Sequence, residues 1–425
     1  MRLGYDRRRI AWFGALLKLV KSFEAQERLT APELARLRQQ RLERLLAHAR
    51  ERSAFWRERI PAGATSLDRV PPLDKAEMMA RYDDLVTDPA LRRDELLAWS
   101  ESRRRDEFYE GRYRVMTTSG SSGRKGLFVY DRAGWSGIGA QWLRASAWMG
   151  MTPRIPRRRL AMLRGASLTH MSTQGAASLN VGVHRVLGIS VTTPVEEQEA
   201  GRLRLSLTAM STSSELRSPA MTERLAAAFG VQPFDVYATT EGLFGAECER
   251  HEGIHLFDDA NVVENVGEDG APVPPGTPGA RVLVTNLHNL VQPIIRLAVA
   301  DVMTIHPEPC PCGRALVRAA ALDGRRDDVL SLPARGGGTV AVLPAQFCVV
   351  TRDRGVREFQ VRQEPGGVRI LVVPCHDGDP ELATRLRGAV AQALGEAGAD
   401  ACVEVECCSA LVRRAGKLQV VVGLS

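Results

Sequence analysis

The first 60 residues carry hydrophobic positions at the spacing of a helix. Apolar side chains recur between Leu34 and Ala49 at near-helical intervals, separated by polar and charged residues, which predicts one stripe facing a core. Thr30 and Glu33 have the spacing of a capping box, and Pro32 falls in the first turn. We therefore expect a helical N-terminal segment with a helix that begins after Thr30.

From about residue 115 to residue 325, short apolar runs alternate with helix-like or glycine-punctuated stretches. Examples of the apolar runs are LAMLRG, FDVYATTEG and ARVLVTNL. Alternation of this kind is typical of layered α/β proteins, whereas the turn-forming residues of 265–279 predict a surface loop. We expect an α/β fold with a large, multi-layer N-terminal domain over residues 1–325, which includes the helical segment 1–60.

A smaller α+β domain is predicted over residues 326–425, after the linker-like segment 324–338. Strands are expected at residues 356–361, 368–372, 402–407 and 418–424. Asp379 and Pro380 have the order of an N-cap and a first-turn proline, which predicts a helix whose apolar face extends to Leu394.

The basic charge is concentrated at the N-terminus. The formal net charge is +7, and the first 60 residues hold 15 Lys and Arg against 7 Asp and Glu. We interpret this excess as a solvated arginine-rich helix surface; the alternative is a surface for nucleic acid or an acidic membrane. No apolar run approaches the roughly 20 residues of a membrane span. Lys18 and Lys21 interrupt the first apolar stretch and no small-residue cleavage site follows, so we expect no signal peptide and a cytoplasmic protein.

All eight cysteines follow residue 247, which in a long chain without a secretory signal favours a metal site or free thiols over disulfides. Cys310 and Cys312 form a C-x-C pair, and Cys248 lies upstream together with His251 and His255. Three thiolates and one imidazole satisfy tetrahedral Zn²⁺, so we predict a structural zinc site, with reduced thiols beside surface histidines as the alternative. The other cysteines are interpreted as core or free thiols: Cys348, Cys375, Cys402, Cys407 and Cys408.

A serine- and glycine-rich stretch is the strongest local signal for ligand binding. Its candidate residues are Thr118, Ser119, Gly120, Ser121, Ser122, Gly123 and Lys125. Glycines let backbone N–H groups approach phosphate oxygens, hydroxyls add donors, and the lysine supplies positive charge. The stretch lacks the G-x-x-x-x-G-K-[ST] spacing of a Walker loop, and a flexible surface turn is the alternative.

Four further motifs follow in order along the chain. They are Tyr237 with Thr240 and Glu241 after one apolar run, Asp301 after another, the charged run of Arg325 to Asp328, and Lys417 near the C-terminus. A threonine and a carboxylate at a strand end could hold a phosphate and its Mg²⁺, and an acidic residue after a strand could bind ribose hydroxyls. Taken singly, each motif also fits a turn, a linker or an exposed side chain.

In this order and at these separations, the five motifs resemble the acyl/aryl adenylate-forming superfamily, and within it the phenylacetate–CoA ligase-like branch. The segments that carry the resemblance are TTSGSSGRKGLFV, VYATTEG, AECERHEGIHLF, VTNLHNLVQPIIRL, CPCGRALV, DGRRDDVL and RRAGKL. The N-terminal run SLDRVPPLDKAEMMARYDDLVTDPAL is also similar to this branch. The resemblance covers most of the chain and implies a large adenylate-forming domain joined by a hinge to a small mobile domain.

The resemblance implies a role for each nucleotide-binding motif. The loop from Ser119 to Lys125 would hold the β- and γ-phosphates of ATP. Thr240 would contact the α-phosphate, Glu241 would bind Mg²⁺, and Tyr237 would lie against the adenine.

It also implies roles for the ribose site, the hinge and the metal set. Asp301 would bind the ribose hydroxyls with Arg325 nearby, and Asp327 would be the hinge. Lys417 would enter the site for the first half-reaction only. Among the histidines, the resemblance favours His255 over His251 as the fourth zinc ligand.

Together these roles imply ATP-dependent activation of an aryl or acyl carboxylic acid as its adenylate, followed by transfer to CoA as a thioester. Two alternatives stay open. One is transfer of AMP to a hydroxyl-bearing acceptor, and the other is a non-catalytic nucleotide-binding protein, which the short stretch between Thr193 and Arg202 would suit. The expected cofactors are ATP with Mg²⁺, CoA and structural Zn²⁺. We expect a small-molecule acid as partner with its pocket in residues 165–215, no nucleic acid, no membrane span, and a homodimer as one oligomeric option.

Overall fold

The structure of the chain is a computed structural model. It describes residues 7–103, 107–118, 126–152, 158–163, 171, 174, 184–189, 194–213, 219–325, 328–353, 355–375, 379–414 and 417–424. The α-helices are Arg7–Gln26 (α1), Ala31–Arg52 (α2), Ala54–Arg59 (α3), Lys75–Ala80 (α4), Tyr82–Leu85 (α5), Arg93–Ser102 (α6), Arg132–Trp148 (α7), Pro194–Glu199 (α8), Pro219–Phe229 (α9) and Leu382–Glu396 (α10), and a 3₁₀ helix spans Pro344–Arg352.

Strands occur both in the large N-terminal part of the chain and in the C-terminal part. The former are Arg114–Thr117 (β1), Leu127–Tyr130 (β2), Arg158–Leu163 (β3), His184–Ile189 (β4), Met210–Thr212 (β5), Pro233–Ala238 (β6), Phe244–Glu247 (β7), Ile254–Leu256 (β8), Asn261–Val266 (β9), Arg281–Asn286 (β10), Leu297–Val299 (β11), Asp301–Ile305 (β12) and Arg318–Arg325 (β13). The latter are Leu330–Pro333 (β14), Thr339–Val342 (β15), Val356–Glu364 (β16), Gly367–Pro374 (β17), Cys402–Cys407 (β18), Arg413–Arg414 (β19), Lys417–Leu418 (β20) and Val421–Val422 (β21).

The N-terminal helices form as the hydrophobic pattern predicts. α2 begins where expected, because the Thr30 amide donates to Glu33 Oε2 over 2.9 Å and closes the first turn. Its leucine stripe is buried in the same core as Phe128 and Phe244 from the strands. Within the described residues, no helix combines the length and the apolarity needed to cross a membrane.

Two arginines of α2 depart from the expected solvated surface. Arg38 Nη1 lies 2.6 Å from Asp258 Oδ2, and Arg41 Nη1 donates to the Asp259 carbonyl over 2.6 Å. Both aspartates are almost fully buried. The buried Asp258 carboxylate needs a cation to offset its desolvation, and Arg41 satisfies a buried backbone carbonyl, so part of the N-terminal basic charge is structural.

The strands of the large part form the layers expected of an α/β protein. Among the described residues, one sheet has the strand order β12-β13-β8-β7-β6-β5 and another the order β11-β10-β9. β5 and β6 are parallel, as are β3 and β4, and the remaining pairs in the six-stranded sheet are antiparallel. The apolar runs LAMLRG, FDVYATTEG and ARVLVTNL supply β3, β6 and β10.

The segment after β10 completes the hydrogen bonding of β2. Gln292 Oε1 accepts from the Val129 amide over 2.7 Å, and its Nε2 donates to the Leu127 carbonyl over 3.0 Å. Asn289 Nδ2 donates to the Val129 carbonyl over 2.9 Å. These buried side chains take the place of a neighbouring strand. They fix β2, the strand that follows the serine- and glycine-rich stretch.

The C-terminal strands enclose a hydrophobic cluster of their own. The sheet order is β18-β17-β16-β21, and the members of the cluster all come from residue 330 onward. The segment expected to be a linker contributes to this cluster, because β14 and β15 form an antiparallel hairpin. The predicted domain boundary between residues 325 and 326 stays a prediction.

Two C-terminal elements differ from expectation in their limits. α10 begins at Leu382 instead of next to Asp379. The Asp379 carboxylate accepts from the Glu381 amide over 3.0 Å and from Arg385 Nη2 over 2.8 Å, so it stabilises the turn before the helix. The strand predicted at 418–424 is confined to the short β20 and β21, whereas β18 spans the residues predicted.

Candidate active site

A tight turn between β6 and β7 positions two of the predicted residues. The Gly242 amide donates to the Thr239 carbonyl over 3.1 Å and reverses the chain. Gly242 has a φ of +97°, and a Cβ atom at this position would overlap the side-chain amide of Asn286. Only glycine fits here, and the turn therefore holds Thr240 and Glu241 at the end of β6.

Two buried donors fix the backbone of this pair. Asn286 Nδ2 donates to the Glu241 carbonyl over 3.0 Å, and the Tyr130 hydroxyl donates to the Thr240 carbonyl over 2.8 Å. Burial, reinforced by the charge of Glu241, raises the pKa of Tyr130 well above its usual value. The phenol therefore stays protonated and keeps its hydrogen bond.

The Glu241 side chain is the buried charge of this site. Glu241 is only 5% exposed to solvent. Glu241 Oε1 lies 3.1 Å from Lys75 Nζ, and Oε2 accepts a hydrogen bond from Thr240 Oγ1 over 3.2 Å. Carboxylate, hydroxyl and phosphate oxygens are the ligands that Mg²⁺ takes at phosphate sites, so the donors present fit this ion.

Tyr237 and Asp301 meet on the same sheet. Tyr237 lies near the end of β6 and Asp301 begins β12, and the tyrosine hydroxyl donates to Asp301 Oδ2 over 2.6 Å. Arg325, the last residue of β13, is in register with Asp301. The backbone of Arg325 is therefore next to Asp301 as the hypothesis requires, whereas its side chain lies outside the described residues.

The serine- and glycine-rich stretch is described at its base. The Thr118 amide donates to the Gly126 carbonyl over 2.9 Å, and the Gly126 amide donates to Thr118 Oγ1 over 2.8 Å. These bonds join the ends of β1 and β2. Several predicted site residues lie outside the described part: Ser119, Gly120, Ser121, Ser122, Gly123, Lys125 and Asp327. The Lys417 backbone pairs with Arg414 in β20 and β19, and its side chain is likewise outside the description.

Three residues of this site were not predicted from the sequence: Lys75, Tyr130 and Asn286. Tyr130 and Asn286 each end an apolar strand, as a polar residue at the edge of a sheet often does at a binding site. Lys75 begins α4 after the N-cap Asp74, whose carboxylate accepts from the Glu77 amide over 2.7 Å. That cap was readable from the sequence, but the spatial proximity of Lys75 to Glu241 was not.

The predicted cysteine–histidine set converges at one place. The Sγ atoms of Cys248, Cys310 and Cys312 and a ring nitrogen of His255 all lie within 4.8 Å of one another. His251 is directed elsewhere, since its Nδ1 lies 3.1 Å from Glu247 Oε2. The choice of His255 that the family resemblance favoured therefore agrees with the geometry.

Two distances within this set match the edges of a tetrahedral zinc site. Zn–S bonds of about 2.3 Å and Zn–N bonds of about 2.0 Å give edges of about 3.8 Å between sulfurs and about 3.5 Å between sulfur and nitrogen. The Cys248 and Cys310 sulfurs are 3.8 Å apart, and Cys312 Sγ is 3.4 Å from His255 Nε2. Burial lowers the pKa of His255 to about 4, so the imidazole is in its neutral, coordinating form at neutral pH.

In sequence and in fold, the chain is similar to adenylate-forming CoA ligases. In sequence, the chain is 26% identical to a phenylacetate–coenzyme A ligase from Thermus thermophilus, over 75% of each chain. No protein-family model matches the chain.

Two solved structures with a similar fold are CoA ligases. A crystal structure of 2-hydroxyisobutyryl-CoA ligase, in the postadenylation state with 2-HIB-AMP, superposes with a TM-score of 0.72 at 19% identity over 94% of this chain and 91% of that one. The anthranilate CoA ligase AuaEII, in complex with anthranoyl-AMP, gives a TM-score of 0.53 at 17% identity over 72% of this chain and 64% of that one. These likenesses confirm the predicted fold class. With the sequence relative, they also confirm the predicted resemblance to CoA ligase-type enzymes.

Proposed function

We propose that this protein activates an aryl or acyl carboxylic acid with ATP and then transfers the acyl group to CoA. The observation that carries the proposal is that the turn after β6 holds Thr240 and Glu241 just beyond Tyr237, whose hydroxyl donates to Asp301 at the start of β12. Ligands of α/β proteins bind beyond the carboxyl ends of strands, and Thr240 and Glu241 lie there after β6. The identity of the relatives as acid–CoA ligases supports the same reaction class.

In the first half-reaction, the acid carboxylate attacks the α-phosphorus of ATP and pyrophosphate leaves. A carboxylate is a poor nucleophile, so the site must hold it in line with the phosphorus. Tyr237 would lie against the adenine, Asp301 would bind the ribose hydroxyls, and Thr240 would contact the α-phosphate. The loop Ser119 to Lys125 would hold the β- and γ-phosphates. Mg²⁺, held by Glu241, would supply charge neutralisation for the phosphates.

In the second half-reaction, the CoA thiol attacks the acyl carbonyl and AMP leaves. We propose that Lys417 stabilises the charge that develops in the first step only, and that Asp327 is the hinge that exchanges it for the CoA-binding face. Zinc at the cysteine–histidine set would be structural, because four protein ligands close its coordination sphere. It would tie β7 and β8 to the turn before β13.

The test is acid-dependent exchange of labelled pyrophosphate into ATP, run over a panel of aryl and short acyl acids. Exchange with at least one acid, lost in Glu241→Gln and kept in the exposed variant Lys21→Ala, is the expected result. Thioester formation with CoA then separates acid–CoA ligation from transfer of AMP to a hydroxyl. Nucleotide binding with no exchange for any acid would overturn the proposal and favour a non-catalytic nucleotide-binding protein.

A further inference from the structure

The N-terminal part of the chain places one cation inside the candidate nucleotide site. Lys75 Nζ lies 3.1 Å from the buried Glu241 carboxylate. Within the described part of the chain, Glu241 is the one carboxylate that pairs with this ammonium, and the Lys75 side chain is 31% exposed. An ammonium group has three donors. Lys75 can therefore pair with Glu241 and still face a ligand.

The backbone fixes Lys75 at this position. Two residues earlier, the Leu73 amide donates to the Arg296 carbonyl over 2.9 Å, and the Ala298 amide donates to the Leu73 carbonyl over 2.8 Å. These bonds add Leu73 to the edge of β11, the strand that leads into Asp301. Lys75 is thus attached to the same framework as the predicted ribose-binding residue.

The stem of Lys75 also crosses the base of the serine- and glycine-rich stretch. A Cβ atom on Gly126 would lie 3.2 Å from Lys75 Cδ and 3.2 Å from Thr118 Oγ1. The ammonium itself lies 5.8 Å from the centroid of the Phe128 ring on β2. Lys75 therefore lies between Glu241 and the strands that carry the predicted phosphate loop.

We propose that Lys75 is a phosphate-binding residue, whose ammonium contacts the pyrophosphate portion of the nucleotide while Glu241 holds the metal ion. The inference rests on the proposed function. A divalent cation on the Glu241 carboxylate competes with the ammonium for the same oxygens, which frees Lys75 donors for phosphate. Charge on the departing pyrophosphate would then be stabilised from the N-terminal segment as well as from the loop.

A purely structural role is the competing explanation. In that case Lys75 would serve only to neutralise Glu241, and its removal would act on the nucleotide through the carboxylate alone. The two explanations differ in a background where Glu241 is already neutral. There, a structural Lys75 has nothing left to position, whereas a phosphate-binding Lys75 still contacts the ligand.

The experiment measures binding of magnesium pyrophosphate, Mg–ATP and AMP to the full chain by calorimetry, in the absence of any acid. Lys75→Ala is expected to weaken pyrophosphate and ATP binding by about 10- to 100-fold and to leave AMP binding within about 2-fold. Lys75→Arg, which keeps the charge, should recover most of the affinity. Lys21→Ala, an exposed lysine on α1, is the matched control and should bind all three ligands as the wild type does.

The decisive comparison is Glu241→Gln against the double variant Lys75→Ala/Glu241→Gln, which leaves no unpaired carboxylate and guards against a folding defect. A further loss of pyrophosphate affinity of about 10-fold in the double variant is expected. Equal affinities of these two variants, or an equal loss of AMP and ATP binding in Lys75→Ala, would overturn the role of Lys75. Absence of Mg–ATP binding in the wild type would instead overturn the proposed function, and with it this inference.

Discussion

The turn at Gly242 provides a quantitative test of how the site is held together. Gly242→Ala would place a side chain at a φ of +97° and against the Asn286 amide. The backbone strain is about 1–3 kcal/mol. Loss of the hydrogen bond from buried Asn286 to the Glu241 carbonyl adds about 1–3 kcal/mol.

Gly270→Ala is the matched control for this variant. Gly270 also has a positive φ, +79°, but a Cβ atom there meets nothing within 4 Å. It therefore carries the backbone strain without the clash. The difference between the two variants isolates the contribution of Asn286, about 1–3 kcal/mol.

Thermal unfolding and Mg–ATP binding are the two assays. At about 2–4 °C per kcal/mol, Gly242→Ala should unfold about 2–12 °C below Gly270→Ala. It should also bind Mg–ATP at least about 10-fold more weakly, because Thr240 and Glu241 are displaced, whereas Gly270→Ala should bind as the wild type does. Equal midpoints and equal ATP affinities for the two variants would refute the role assigned to this turn.

Three further outcomes follow from the site. Tyr237→Phe removes the hydroxyl bonded to Asp301 and should weaken binding of ATP and AMP by about 3- to 10-fold. It should also reduce the preference for ATP over 2′-deoxy-ATP, and an unchanged preference would contradict the assignment of Asp301 to the ribose. Lys417→Ala should lower pyrophosphate exchange at least about 100-fold yet spare thiolysis of a preformed adenylate, and equal loss of both steps would count against the hinge mechanism. Cys312→Ser should lose bound zinc, measured by metal analysis, and unfold at lower temperature, whereas the exposed Cys402→Ser should keep both properties; zinc-free wild-type protein of full stability would exclude the metal site.

Local pattern predicted the elements of this fold well where one face of an element is buried. The leucine stripe of α2 is buried as predicted, and the strands β3, β6 and β10 overlap the apolar runs that the sequence indicates. The ends of helices and strands were less well predicted where one side chain could form either of two hydrogen-bonding arrangements. In the sequence, Asp379 has the position of a helix N-cap. In the structure, its carboxylate accepts hydrogen bonds from the Glu381 amide and from Arg385, and the helix begins only at Leu382.

The candidate site shows the same division between local and long-range information. Thr240 and Glu241 could be recognised because their motif directly follows an apolar run and resembles that of the family. Lys75 and Asn286 could not be recognised in this way, since each reaches Glu241 only through the tertiary fold. The same holds for Arg38, whose buried partner Asp258 is 220 residues away in the chain.

The most direct test of the central claim is a crystal structure of the full chain with Mg–ATP. We expect one nucleotide with its adenine against Tyr237, its ribose hydroxyls on Asp301, and its phosphates between the Glu241 carboxylate and the loop that follows Thr118. ATP bound in another cavity, with these groups facing away from it, would contradict the assignment of this protein as an adenylate-forming enzyme.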